Sequence, residues 1–277
     1  MTTTAPVPTT AGTLGVPDGR LYYEVRGTGP LVLLVGAPMG ADAFAPLAEL
    51  LAAEHTVLTT DPRGVGRSPV DDPERDSTPE LRADDLSRLL AHLDAGPAAV
   101  LGSSGGAVSV LALAQAHPEQ VATVIAHEPP LSELLDDRVD LRAGEERIIH
   151  TYLTEGSAAA WREFMAVGDI VVPDDDAHVA PPPEEERDPQ AVADERHFFL
   201  HELRATTRWQ PDLDVLRAVP TRVVVGLGEL SAGELCDRTS RALAAALGTE
   251  PTMFPGSHIG FLEDPAAFAV RLREVLG

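Results

Sequence analysis

Apolar residues along this chain follow two alternating periodicities. Short unbroken runs rich in Val, Leu and Ile occur at 21–25, 31–35, 56–60, 98–101, 121–126, 221–225 and 250–254. They show little polar alternation, which is the pattern of strands covered on both faces, and so predict a mostly parallel sheet. Longer stretches with helical periodicity lie between them. One follows Ser77-Thr78-Pro79-Glu80, whose spacing predicts a capping box with Pro early in a helix that runs to Leu93. Others cover 105–117, stopped by Pro118, then 231–247, closed by Gly248, and 264–276. Repeated strand–helix alternation predicts an α/β fold with helices on both faces of the sheet.

The rhythm breaks between Pro130 and Pro220. No run there reads as a strand, whereas 145–153, 158–167 and 191–204 read as helical. Residues 168–190, with Pro-Asp-Asp-Asp and Pro-Pro-Pro-Glu-Glu-Glu, predict an exposed, mobile loop. An insertion of this length predicts a helical cap over 131–218, seated on a core built from 13–130 and 219–277. Residues 1–12 have neither the basic start nor the apolar run of a signal peptide and read as a short disordered tail.

Composition then removes several classes of function. The 277 residues carry 21 Lys+Arg against 44 Asp+Glu, a net charge of −23, which argues against nucleic-acid and membrane-surface partners. The single cysteine, Cys236, excludes an intramolecular disulfide and a zinc site built on several cysteines. No apolar run approaches the ~20 residues needed to span a bilayer. The expectation is a soluble cytoplasmic protein acting on a small molecule, with no metal and no cofactor. His197 and His201 have helical ligand spacing, but the central Glu of H-E-x-x-H is missing and no third ligand is evident. The acidic runs 174–176 and 184–186 lack the glycine and spacing of a calcium loop.

The sharpest chemical signal is Gly102-Ser103-Ser104-Gly105-Gly106, a G-x-S-x-G that follows a predicted strand and opens a predicted helix. A tight turn of this kind tolerates only small neighbours. It lifts the central hydroxyl clear of the sheet and aims free helix N–H groups at a developing oxyanion. His258 lies in a Pro-Gly-Ser-His loop after the last predicted strand, and imidazole can take and return a proton near neutral pH. Two carboxylates compete to orient it. Glu128 ends the strand at 121–127 before Pro129-Pro130, and Glu229 follows the strand at 221–225. The better-defined strand end favours Glu128.

Four segments together resemble the α/β-hydrolase superfamily. They are 31–40 (LVLLVGAPMG), 61–68 (DPRGVGRS), the serine turn, and 255–276 with its histidine loop and last helix. The resemblance covers nearly the whole chain. It implies Ser104 as nucleophile, His258 as general base, and the backbone N–H groups of Ala37 and Gly105 as oxyanion donors. Members usually carry His-Gly where this chain has Val35-Gly36, which bears on the conformation of that loop. Asp61 and Arg63 would brace the loop near the site. A central Ser rather than Asp argues against the epoxide-hydrolase and dehalogenase branches. The expected function is an ester or related acyl hydrolase working through an acyl-enzyme. Thioester hydrolysis, C–C cleavage, cofactor-free perhydrolysis and non-turnover ligand binding remain alternatives on the same scaffold. Trp161, Phe164, Phe198 and Phe199 are the expected substrate-binding residues of the cap.

Overall fold

The computed structural model describes residues 7–170 and 186–277. Eight strands form one sheet: β1 (Thr9–Val16), β2 (Gly19–Arg26), β3 (Leu31–Val35), β4 (Thr56–Thr60), β5 (Ala98–Ser103), β6 (Val121–His127), β7 (Arg222–Gly228) and β8 (Thr252–Phe254). Their order is β1-β2-β4-β3-β5-β6-β7-β8. β1 pairs antiparallel with β2, and β2 antiparallel with β4. Every pairing from β4 to β8 is parallel.

The unbroken apolar strands are explained by cover on both faces. In β3, Leu31, Leu33 and Val35 join one core cluster and Val32 and Leu34 the other, as a period of two requires. The first cluster packs α2 (Pro79–Leu93), α3 (Gly105–Ala116), α8 (Leu213–Ala218) and α9 (Leu235–Leu247) on one face. The second packs α1 (Ala41–Leu51), α10 (Gly260–Glu263) and α11 (Pro265–Leu276) on the other. Between β6 and β7 the described chain is helical: α4 (Arg138–Glu155), α5 (Ser157–Val167), α6 (Pro189–His197) and α7 (Leu203–Thr207), with a 3₁₀ turn at Ser132–Leu134 and a π-turn at Phe198–Glu202. It carries its own apolar cluster, which includes Ile148, Ile149, Phe198 and Phe199. No described helix is long and apolar enough to cross a membrane.

Three local expectations need correction. Thr9–Gly12, read as tail, belong to β1, which the Pro17-Asp18 turn folds back onto β2. The strand is mostly exposed and only Leu14 and Val16 pack inward, so its apolar signal is weak. Residues 1–6 of that tail, and residues 171–185 of the expected loop with most of its acidic runs, lie outside the described residues. Pro189 and Gln190, also assigned to the loop, open α6 behind the Asp188 cap. The expected capping box does not form. Thr78 is the N-cap and its hydroxyl accepts from Leu81 N at 3.3 Å, while Glu80 accepts from Trp209 Nε1 at 2.8 Å.

Candidate active site

The turn from β5 into α3 holds Ser104 at φ 57° and ψ −125°, a left-handed backbone that non-glycine residues avoid unless their surroundings enforce it. Close packing enforces it here. A Cβ on Gly102 would lie 2.3 Å from Gly106 O, and one on Gly106 would lie 2.4 Å from Val35 O. Ser104 N donates to His127 O at 3.0 Å, tying the turn to β6. The Ser104 hydroxyl makes no capping bond to its own helix and lines a cavity. Gly105 opens α3, so its N–H has no partner inside the helix. Ala37 lies against it: a Cβ on Gly105 would be 2.7 Å from Ala37 O and 3.1 Å from Ala37 Cβ. Ala37, Ser104 and Gly105 line the same cavity.

Glu128 stands one residue beyond β6, also with positive φ (53°), and is fully buried. Its Oε1 accepts from Gly228 N at 2.8 Å, and its Oε2 meets His258 Nδ1 at 2.6 Å. Burial alone would raise this carboxyl, but the hydrogen bond and charge of His258 override it and hold it at about 2. For His258, burial works downward. The Cys236 sulfur and the Glu128 carboxylate outweigh it and raise the imidazole well above its ordinary value. Glu229 is exposed and its carboxylate has no bond to His258. Its backbone N–H donates to Phe254 O at 2.9 Å, so its peptide belongs to the sheet edge and not to the site. Of the two candidate acids, the structure brings only Glu128 to His258.

Ser104, Gly105, Ala37, His258 and Cys236 all line a cavity of about 270 Å³. Its far walls come from the helical insertion. Trp161, Phe164 and Phe198 face it, with Trp161 stacked parallel to Phe198 at 5.7 Å between centroids. Phe199 does not face it, contrary to expectation. It is fully buried within the insertion, stacked on Tyr152 at 4.8 Å.

The expected bracing groups are in place. Asp61 accepts from Ala41 N and Arg67 N, and Arg63 clamps Asp85 through two bonds of 2.6 and 2.9 Å. His201 pairs with Asp76 at 3.2 Å, away from any metal-like grouping. Among the described residues, the group with ligand atoms close enough for a metal is Glu128, Cys236 and His258, all within 4.8 Å of one another. The tight Glu128–His258 bond already occupies two of these three. Sequence reasoning missed Cys236 as a cavity residue, having used it only to exclude a disulfide and a zinc site built on several cysteines. It also missed Glu145 and Glu202, two buried carboxyls on the cavity wall. Glu202 was detectable in principle, since it shares a helical face with Phe198 and Thr206, four residues away on either side.

Comparison with known proteins agrees with this fold. The alpha/beta hydrolase fold profile matches residues 29–158. The chain is 32% identical over 270 residues to "Uncharacterized hydrolase YraK" of Bacillus subtilis (strain 168), covering 96% of this chain and 95% of that one. It is 28% identical over 283 residues to a zearalenone hydrolase of Bionectria ochroleuca, covering 94% and 95%. A thermophilic esterase from Thermogutta terrifontis superposes with a TM-score of 0.70 at 23% identity, over 96% of this chain and 98% of that one. A serine on a strained strand–helix turn, a histidine bonded to a strand-end carboxylate, and full-length similarity to named hydrolases place this chain in the α/β-hydrolase superfamily.

Proposed function

We propose that the protein is a serine-dependent hydrolase of small esters or related acyl compounds, working through an acyl-enzyme. The observation that carries this reading is the strained Ser104 lining the same cavity as a His258 that is bonded at 2.6 Å to buried Glu128. Nδ1 of His258 faces Glu128, which leaves Nε2 for the proton chemistry. In its neutral form His258 takes the Ser104 hydroxyl proton as Oγ bonds to the carbonyl carbon. The carbonyl oxygen becomes an oxyanion, stabilised by the N–H groups of Ala37 and Gly105. Collapse breaks the bond to the leaving oxygen, which receives the proton from His258. Water then attacks the acyl-enzyme by the same route in reverse, releasing the acid and Ser104. Glu128 stays ionised throughout, orienting the ring and stabilising the imidazolium. The esterase-like fold and the similarity to a zearalenone hydrolase support a carbonyl substrate. No cofactor enters the cycle, and the acidic surface and apolar cavity favour a small uncharged substrate over nucleic acid or membrane.

The test is covalent labelling with a fluorophosphonate. One adduct by intact mass, mapped to Ser104 and absent in Ser104→Ala, is the expected result. A folded protein that labels elsewhere, or not at all, overturns the serine mechanism.

A further inference from the structure

The cavity is not uniformly apolar. Three polar atoms in residues of its lining are cut off from solvent and have no hydrogen-bond partner: Glu202 Oε2, Glu145 Oε1 and Ser132 Oγ. The residues are 1%, 3% and 1% exposed. They come from three segments that meet, since α4, bearing Glu145, packs against both the 3₁₀ turn with Ser132 and the π-turn with Glu202. Among native buried polar groups such orphans are rare, and apolar side chains of similar shape would cost the fold less. Isolated π-turns also occur frequently at functional sites.

The neighbours do not use these atoms. Arg82, the cation that influences Glu202, commits its guanidinium to Ser77 O, Ser109 Oγ and Thr206 Oγ1 at 2.6 to 2.8 Å. Arg208 binds the other oxygen of Glu145, Oε2, at 2.6 Å, and the Thr207 side chain also bears on this carboxyl, which leaves Glu202 as the less committed of the two. Burial pushes both carboxyls above the usual range, against the opposing pull of Arg82 on Glu202 and of Arg208 on Glu145. With Arg82 and Arg208 behind them, a cationic ligand is disfavoured and a neutral donor fits.

We propose that this wall recognises a neutral hydroxyl, alcoholic or phenolic, on an otherwise apolar acyl or ring body, with Glu202 as the specificity-determining residue and Ser132 assisting. The proposal rests on the reading of the cavity as the site where the acyl substrate is held. With the side chains turned toward the cavity, a hydroxyl would donate to the free oxygen of Glu202 and accept from Ser132 Oγ, satisfying two of the three orphans. An analogue without the hydroxyl would leave them unpaired, the situation in which sites discriminate most strongly.

The experiment uses p-nitrophenyl octanoate and a series of p-nitrophenyl hydroxyoctanoates with the hydroxyl at successive carbons. At least one hydroxylated ester is expected to exceed octanoate in kcat/KM by about tenfold or more. Glu202→Leu should bring that ratio to one or below, with the loss seen in KM for the hydroxylated ester more than in kcat. Glu202→Gln, close in shape and still an acceptor, should retain much of the preference and guards against a folding defect in the first variant. No preference at any position in the wild type, or a preference that survives Glu202→Leu, overturns the proposal. If no ester is turned over, the hydrolase reading fails separately. Trp161 fluorescence titration with methyl octanoate and with the methyl hydroxyoctanoates then decides the proposal: tighter binding of a hydroxylated ester, lost in Glu202→Leu, supports it, and equal binding of all refutes it.

Discussion

The sheet edge and the helical insertion hold opposite kinds of polar group. At the sheet edge, Ser104 and Glu128 each sit just past a parallel strand, each with positive φ, and both Glu128 oxygens are hydrogen-bonded. In the insertion, Glu145 and Glu202 are equally buried but each keeps an oxygen without a partner. The sheet edge is complete in the free protein, as preorganised chemistry requires. The cap wall is left incomplete, as a surface waiting for a ligand would be. Position at the edge is fixed by backbone geometry, and the insertion's share of the cavity wall by side chains gathered from separate helices.

The largest expected effect breaks the edge. Ser104→Ala and Glu128→Gln should each lower kcat by about 10⁴ without loss of fold, by analogy with a comparable triad. Glu229→Gln should stay within about twofold, as expected of an exposed side chain. Steady-state kinetics with circular dichroism checks all three. A large loss for Glu229→Gln with none for Glu128→Gln would reassign the acid.

The next effect is on pH. His258 is raised well above its ordinary value of 6.5 by Cys236 and Glu128, with Glu234 and His127 also sensing it. The base form therefore appears only as pH climbs past that raised value. kcat/KM should be low at pH 6.5 and rise on the alkaline side. The same pairing stabilises the fold below pH 6.5, and this contribution is lost as pH rises through the raised value. Cys236→Ser removes one cause, so the rising limb should move to lower pH. A limb already complete at pH 6.5, or one that Cys236→Ser leaves in place, would contradict this account.

The smallest effect separates two neighbours in the cap. Phe198→Leu should change the relative kcat/KM of short and long acyl esters by roughly tenfold, because Phe198 faces the cavity. Phe199→Ala should instead cost about 3–5 kcal/mol of stability, read as a lower denaturant midpoint, with all substrates affected in parallel. If both variants alter the ratio alike, the division between wall and internal core is wrong.

The strand runs, the serine turn and the histidine loop are local patterns, and the sequence by itself determined them. β3 and β4 fall at the read positions, because a strand buried on both faces must be apolar throughout. Gly102 and Gly106 betrayed the turn, because the clash they avoid lies within a few residues and on the adjacent strand β3. Local reading failed where one-sided burial or an interruption diluted the pattern, as in exposed β1 and in α1, whose amphipathic run contains Pro46. It leaned to Glu128 over Glu229 on strand position alone, and did not separate Phe198 from Phe199 or find Glu202. Glu128 and His258 are 130 residues apart and Glu128 and Gly228 are 100 apart, so the choice of acid depends on how β6, β7 and the last loop pack together. Only the tertiary structure decides which side chains from distant segments share a cavity wall, because burial and hydrogen-bond satisfaction belong to the assembled neighbourhood and not to any stretch of chain.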